Sequence, residues 1–101
     1  MSLNPTSFDR KLYLVCYDIV HNRRRNRVAK VLSGYGMRVQ KSVFECFLNE
    51  ARLKTLRQRL KKEIKESEDQ IRIYNLGAVI EADVEYLGIK ILHRYRSVVV
   101  V

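Results

Sequence analysis

Asp18 has the clearest potential for chemistry, because it ends the apolar run LYLVCYD at residues 12–18 and is followed closely by a basic cluster. The cluster comprises Arg23, Arg24, Arg25 and Arg27. Mg²⁺ is usually held by one or two carboxylates together with substrate phosphate, and arginine forks bind phosphate. The pattern predicts a metal and phosphate site, although an Asp after a strand is also typical of a plain turn or helix cap.

One Asp per chain supplies only one protein ligand for a metal, so the prediction depends on a second copy of the chain. A two-fold axis near the end of the first strand would bring two copies of Asp18 together and complete the site. An ion held there can lower the pKa of a bound water and polarise a phosphodiester, as metal-assisted strand cleavage requires. His21 is a minor candidate for a general acid or base, since a lone His in a polar loop seldom has that role.

Other basic and aromatic residues extend the candidate site. Arg38 and Lys41 add to the positive surface, and Tyr17 and Phe44 are more often core residues than platforms on which bases stack. A second predicted helix has a basic outer face that either contacts phosphates or is an ordinary solvated surface, and both interpretations stay open. That face carries Arg52, Lys54, Arg57, Arg59, Lys61, Lys62 and Lys65.

Strands must position these side chains. Residues 11–17 are apolar on both faces, which predicts a central strand in a sheet covered on both sides. A second strand is predicted over roughly 38–48, a third over 70–76 and a fourth over 83–89. The tail 97–101 ends in four valines, and we expect another strand to cover it. Cys16 and Cys46 lie inside predicted strands and are interpreted as small buried hydrophobes.

Two helices complete the predicted fold. Asn22 is predicted to cap the first, and Asn49 the second, which is expected to run to about Ser67. Their apolar stripes predict which faces are buried. The stripes consist of Val28, Val31, Leu32 and Tyr35 in the first helix, which Gly34 and Gly36 should stop, and of Leu53, Leu56, Leu60 and Ile64 in the second.

The combination of strands and helices predicts an α+β fold, the ferredoxin-like βαββαβ arrangement with an extra C-terminal strand, in which two helices cover one face of an antiparallel sheet. The other face is a natural homodimer interface. We predict a single domain over residues 1–101, with residues 1–10 as a flexible N-terminal segment.

Composition restricts the function classes. A formal charge of +9 and a pI near 9.9 favour a polyanionic partner, with nucleic acid as the leading class. No stretch reaches the roughly 20 apolar residues of a membrane span and no secretory signal is evident, so we expect a cytoplasmic protein with no membrane partner. The sequence has no GxGxxG, Walker loop, GxSxG or zinc-ligand spacing, which removes most cofactor-based enzymes.

Several segments, taken in order, resemble a known family: YLVCYDI, RNRVAKVLSGYG, QKSVFECFL, the long charged helix, DQIRIYNL and the valine tail. Together they are similar to the small CRISPR-associated adaptation protein, the metal-dependent endonuclease subunit that partners the CRISPR integrase. The resemblance spans roughly residues 11–101. Its most specific parts are the pair Tyr17 and Asp18 and the string KSVF at residues 41–44.

The resemblance implies a symmetric dimer with facing sheets, in which residues 97–101 join the partner's sheet. It implies that Asp18 of each chain is the catalytic Mg²⁺ ligand, and that six further residues lie around the cleaved strand: Tyr17, Arg25, Arg27, Arg38, Ser42 and Phe44. Family activities include Mg²⁺-dependent cleavage of single-stranded RNA and of double-stranded DNA.

The leading hypothesis is therefore a homodimeric, Mg²⁺-dependent nuclease of CRISPR adaptation that acts on RNA or DNA. One alternative is a non-catalytic DNA-binding adaptor that bridges two integrase dimers. Another is a related ribonuclease toxin of the virulence-associated type, which shares the fold. A plain ferredoxin-like RNA reader is disfavoured, because its aromatic signature is absent.

Overall fold

The computed structural model describes residues 9–89 of the 101-residue chain. Its elements follow the predicted βαββαβ order: β1 (Lys11–Asp18), α1 (Asn22–Ser33), β2 (Met37–Gln40), β3 (Val43–Leu48), α2 (Glu50–Glu63), β4 (Gln70–Asn75) and a short 3-10 helix, Glu81–Asp83. The strands form one antiparallel sheet in the order β2-β3-β1-β4, which confirms the ferredoxin-like fold. Over residues 9–89 neither helix is long and apolar enough to cross a membrane.

β1 is a central strand, between β3 and β4, as predicted, and its two faces have different surroundings. Tyr13, Val15 and Tyr17 are buried in the core that both helices cover. Leu14 and Cys16 are half-buried on the opposite face. We call the face that carries Leu14, Cys16 and their β3 neighbour Glu45 the open face, because both helices pack on the other side. Alternation along one strand therefore separates a closed core from a surface available for contacts.

α1 begins one residue earlier than the sequence suggests. The predicted cap Asn22 is already helical, and the N-cap is His21, whose backbone is extended and whose Nδ1 accepts a hydrogen bond from the Arg23 N–H at 3.3 Å. His21 and Asn22 both carry a suitable acceptor, so the pattern alone does not distinguish them. The predicted stripe is correct, since Val28 and Leu32 are fully buried.

α2 begins as predicted and ends earlier. The Asn49 Oδ1 accepts a hydrogen bond from the Arg52 N–H at 2.8 Å, which confirms this cap. The helix stops at Glu63 rather than near residue 67, because Ile64 is extended and packs against the core while the Lys65 carbonyl closes a turn. The predicted stripe is buried at Leu53, Leu56 and Leu60.

The single strand predicted over 38–48 is in fact a hairpin. Lys41 and Ser42 form the turn between β2 and β3, and the strand register shifts between Arg38 and Gln40. Three polar residues, QKS at 40–42, interrupt the alternation and are typical of a turn. The hairpin provides the two adjacent strands, β2 and β3, that the βαββαβ order requires between the helices.

The strand predicted over 83–89 is not formed. Asp83 closes the 3-10 turn by accepting a hydrogen bond from the Ile80 N–H at 2.9 Å, and Gly88 has a φ of 91°. Leu87 and Ile89 are 89% and 90% exposed, because no described strand lies beside them. The predictions for the tail 97–101 and for residues 1–8 of the N-terminal segment lie outside the described residues.

Gly36 is required by close packing between the end of α1 and β3. A Cβ at this position would collide with the Glu45 carbonyl oxygen and lie 2.6 Å from the Cys46 Sγ. Cys46 is fully buried, as predicted, and burial raises the pKa of its thiol to about 12, so that it stays protonated at neutral pH. Cys16 is half-buried, and both cysteines are free.

We predict that Gly36→Ala destabilises the protein, because backbone and a buried sulfur cannot both move aside. The expected loss is about 1–3 kcal/mol of unfolding free energy, or a melting temperature lower by roughly 5–20 °C. Thermal unfolding followed by circular dichroism measures it. The matched control is Gly34→Ala, where the nearest atom would be 3.5 Å away, and it should leave the melting temperature unchanged or slightly higher. Equal effects at the two positions would contradict the packing argument.

Candidate active site at the end of the first strand

Asp18 is the last residue of β1 and pairs with Gln70 of β4. Its side chain is exposed, and among residues 9–89 its carboxylate has no hydrogen bond or ion pair. The preceding Tyr17 points into the core, so strand alternation directs Asp18 to the open face. The sheet therefore presents a free carboxylate at the end of its central strand, of the type that Mg²⁺ prefers.

Arg25 braces the loop that follows Asp18. Its guanidinium donates to the carbonyls of Ile19 at 3.4 Å and Val20 at 3.5 Å, and to the Asn22 Oδ1 at 3.2 Å. These contacts fold the side chain back over the β1–α1 loop. Arg25 therefore contacts the backbone of the loop that follows Asp18.

Arg24 enters an ion-pair network that sequence analysis did not find. It donates to both oxygens of Asp69, at 2.7 Å and 3.2 Å, and to Glu68 at 2.9 Å. The Asp69 side chain is 0% exposed and also accepts hydrogen bonds from the N–H groups of Val20 and Lys65. These donors, Arg24 foremost, hold the pKa of Asp69 well below its ordinary range. The network ties the β1–α1 loop to the turn that precedes β4.

The other two arginines of the cluster differ in their surroundings. Arg27 pairs with Glu63 of α2 at 3.0 Å, so its contacts join the two helices. Arg23 is exposed in the first turn of α1, and within residues 9–89 its guanidinium has no partner. The phosphate role predicted for Arg25 and Arg27 stays a prediction, since both are engaged with protein atoms.

Four of the predicted site residues meet in one cluster on the core side of the sheet. Arg38 donates to the Tyr17 hydroxyl at 3.0 Å, and its guanidinium carbon lies 5.4 Å from the centre of the Phe44 ring. The Tyr17 and Phe44 rings are 6.3 Å apart, and the Tyr17 N–H donates to the Ser42 carbonyl at 3.1 Å. Tyr17 is 5% exposed and Phe44 1%, which confirms the core interpretation and leaves neither ring free to stack on a base.

The structure thus divides the predicted site between two faces of the sheet. Asp18 lies on the open face, while Tyr17, Arg38 and Phe44 lie on the helix side. His21 serves as the N-cap of α1, so its Nδ1 is an acceptor and its neutral form carries the proton on Nε2. Within residues 9–89 no three His, Cys, Asp or Glu side chains cluster closely enough to hold a metal.

The Arg24 and Asp69 pair was missed because no local pattern signals it. The two residues are 45 positions apart and meet only after α2 returns the chain to the sheet. The available signal was weak: Asp69 directly precedes β4, where an acid is common in a turn. Only the predicted topology places that turn next to the end of β1.

The sequence profile of the family described as CRISPR associated protein Cas2 matches residues 11–80 of the chain. The chain belongs to the Cas2 family. A CRISPR-associated endonuclease Cas2 of Thermus thermophilus is 42% identical over 89 residues, covering 88% of this chain and 94% of the relative. A CRISPR-associated endoribonuclease Cas2 of Synechocystis is 43% identical over 77 residues, covering 76% of this chain and 84% of the relative.

Solved Cas2 structures share the fold. Cas2 of Streptococcus pyogenes, crystallised at pH 6.5, superposes with a TM-score of 0.67 at 40% identity and covers 76% of this chain and 99% of that one. A chain of a partial Cas6-RT-Cas1–Cas2 complex superposes with a TM-score of 0.58 at 41% identity, covering 65% of this chain and 78% of that one. The relatives' names identify this Cas2 family as nucleases of CRISPR systems.

We predict that the Asp69 network makes this Cas2 protein sensitive to acid. The pKa of Asp69 is lower in the folded state than its ordinary value near 3.8, so ionised Asp69 stabilises the fold above that pH. This contribution is lost as the pH falls below about 4 toward the folded value. Urea midpoints measured from pH 7 to pH 3 should fall more steeply for the wild type than for Asp69→Asn, which should also be less stable at pH 7.

The control for this series is Glu66→Gln, which removes an exposed carboxylate that has no hydrogen bond or ion pair with residues 9–89. Its pH profile should parallel that of the wild type. A profile for Asp69→Asn that also parallels the wild type would show that the acid sensitivity comes from other groups.

Proposed function

We propose that this protein is a homodimeric, Mg²⁺-dependent endonuclease of CRISPR adaptation that cleaves phosphodiester bonds in RNA or DNA. The observation that carries the proposal is the free carboxylate of Asp18 at the exposed end of the central strand. Relatives named as endonucleases and endoribonucleases support the reaction class. The net charge of +9 suits a polyanionic substrate.

The open face supports the proposed homodimer. Leu14 and Cys16 lie half-buried there without a covering layer among residues 9–89, and Tyr74 of β4 is 44% exposed on the same face. A symmetric pair buries such a face against its own copy. Two copies of Asp18 then supply two carboxylates, the number that commonly binds one Mg²⁺ between protein and substrate phosphate.

The chain's own residues have defined roles in this proposal. Asp18 of each protomer would hold the ion, which when bound supplies Lewis-acid polarisation of the phosphodiester and a more acidic water. Arg23, exposed at the start of α1, would bind an adjacent phosphate at the helix terminus. The Nε2–H of His21 can donate a hydrogen bond toward the same strand, because its Nδ1 is occupied by the cap.

We expect Asp18→Asn to abolish EDTA-sensitive cleavage, because the amide keeps the shape of the side chain and removes its charge. The assay follows single-stranded RNA and double-stranded DNA with and without Mg²⁺ and EDTA. The dimer, measured by light scattering, and salt-sensitive binding of nucleic acid should be retained. Glu66→Gln, which removes an exposed carboxylate outside the proposed site, is the control and should cleave normally. If Asp18→Asn cuts as fast as the wild type, the proposed site is wrong.

A second candidate is a non-catalytic DNA-binding adaptor for the CRISPR integrase, and the distribution of charge favours it. α1 and α2 together carry 11 Lys and Arg against 2 Glu, so the helix layer alone carries the full formal excess of +9. Arg57 and Lys61 project from α2, where their side chains are exposed beside β4. A similar chain that is solved in a complex with Cas1 supports the same partner here.

The adaptor candidate predicts that Arg57→Glu with Lys61→Glu weakens DNA binding and spacer uptake, whereas Asp18→Asn impairs neither. Neutralising both residues to Gln should give an intermediate loss and lower the slope of log K against log salt by about two units, since each phosphate contact contributes nearly one. Binding titrations between 50 and 200 mM salt measure it. An unchanged slope would remove these residues from the DNA path.

A further inference from the structure

The Asp69 carboxylate is the most completely satisfied charged group in the described part of the chain. Its side chain is fully enclosed, and its two oxygens accept four hydrogen bonds, two from Arg24 and one each from the N–H groups of Val20 and Lys65. An enclosed carboxylate needs such partners to remain ionised. Two of the four donors are backbone groups, so the network fixes main chain as well as side chains.

The network closes around the end of β1. Val20 is two residues after Asp18, and Asp69 directly precedes Gln70, the β4 residue that pairs with Asp18. Asp69 therefore bridges the chain leaving β1 and the chain entering β4. Asp18 and Gln70 form the last pair of this ladder, so the bridge lies next to Asp18 in both strands.

Side-chain packing holds the preceding Ile19, which is buried in the core, but not Val20, whose side chain is 66% exposed. Hydrogen bonds hold the backbone of Val20: Asp69 accepts from the Val20 N–H, and Arg25 donates to the Val20 carbonyl at 3.5 Å. Arg24, with its Nε and Nη2 already bound to Asp69 and Glu68, is occupied with protein carboxylates rather than presented to phosphate.

We propose that Arg24 and Asp69 are positioning residues for Asp18. They act by holding the Val20 backbone and so keep the Asp18 carboxylate in the orientation that metal binding requires. The inference rests on the proposed function. It assigns Arg24 to the support of the Asp18 carboxylate and not to substrate binding. The resemblance and the basic cluster alone do not distinguish these two roles. Partners that orient a metal ligand typically contribute 10- to 100-fold in metal affinity.

The test is Mn²⁺ binding to the intact homodimer by calorimetry, combined with the Mg²⁺ dependence of cleavage. Asp69→Asn should weaken Mn²⁺ binding about 10-fold or more. It should raise the Mg²⁺ concentration that gives half-maximal rate by a similar factor, and leave the KM for nucleic acid unchanged. Amide exchange at Val20, followed by NMR, should accelerate in the same variant, because its N–H loses a charged acceptor.

Arg24→Lys is the second variant and protects the test against misfolding of Asp69→Asn. It keeps the charge and removes the fork that grips both Asp69 oxygens, so the same loss of metal affinity is expected in a more stable protein. Glu63→Gln is the control, because it breaks the Arg27 ion pair between the helices without touching Val20. It should bind Mn²⁺ like the wild type.

Each outcome decides between the two proposals. If the wild-type dimer binds no Mn²⁺ and shows no EDTA-sensitive cleavage, the proposed function fails and this inference falls with it. If the wild type binds the metal and both variants bind it equally well, only the positioning role is overturned. A rise in the KM for nucleic acid in Arg24→Lys at unchanged metal affinity would identify Arg24 as a substrate contact and also overturn it.

Discussion

The alternation of side chains along β1 is the constraint on which the rest of the structure depends. Tyr17 and Asp18 are neighbours in sequence, yet pairing with β3 and β4 turns one into the core and the other to the open face. The buried Tyr17 anchors the strand through Phe44 and Arg38. The same anchoring fixes where the strand ends, and thereby where the carboxylate emerges.

This arrangement gives Asp18 and the cluster around Tyr17 different physical roles. Around Tyr17, an aromatic contact, a guanidinium over a ring and a backbone hydrogen bond join β1 to the β2–β3 hairpin. Loss of any of these contacts disturbs the strand that carries Asp18 without removing a group that touches substrate. Reduced activity after substitution in this cluster is therefore no evidence for substrate contact, whereas substitution of the exposed Asp18 leaves the core intact.

Sequence patterns were sufficient for features that depend on near neighbours. The apolar run of β1 identified the central strand, and Asn49 with its leucine stripe located the start and buried face of α2. Patterns failed where the outcome depends on distant groups. Residues 83–89 have strand-like composition but no described neighbour to pair with, and the end of α2 is set by the packing of Ile64.

In the candidate site, too, sequence patterns predicted what depends on near neighbours and not what depends on distant groups. Asp18 could be selected from its place after an apolar run, and its exposure agrees with that choice. The roles of the arginines could not be predicted, since a count of charges does not show which carboxylate will pair with which guanidinium. Arg24, Arg25 and Arg27 are alike in sequence, yet they contact Asp69, the loop carbonyls and Glu63 respectively.

The nuclease and adaptor functions make different demands on the surface, and the fold separates them. In the proposed nuclease function cleavage would depend on Asp18 at the end of the sheet, on the open face, whereas in the adaptor candidate DNA backbone binding would depend on the excess of cations in the helix layer. The sheet itself lies between these two surfaces. Substitution on one face can therefore test one proposed function without changing the other, because the two surfaces share the buried core and no charged group. Electrostatic attraction to the helix layer weakens with salt, while a carboxylate that binds a metal directly is much less screened, so the two functions also differ in how ionic strength affects them.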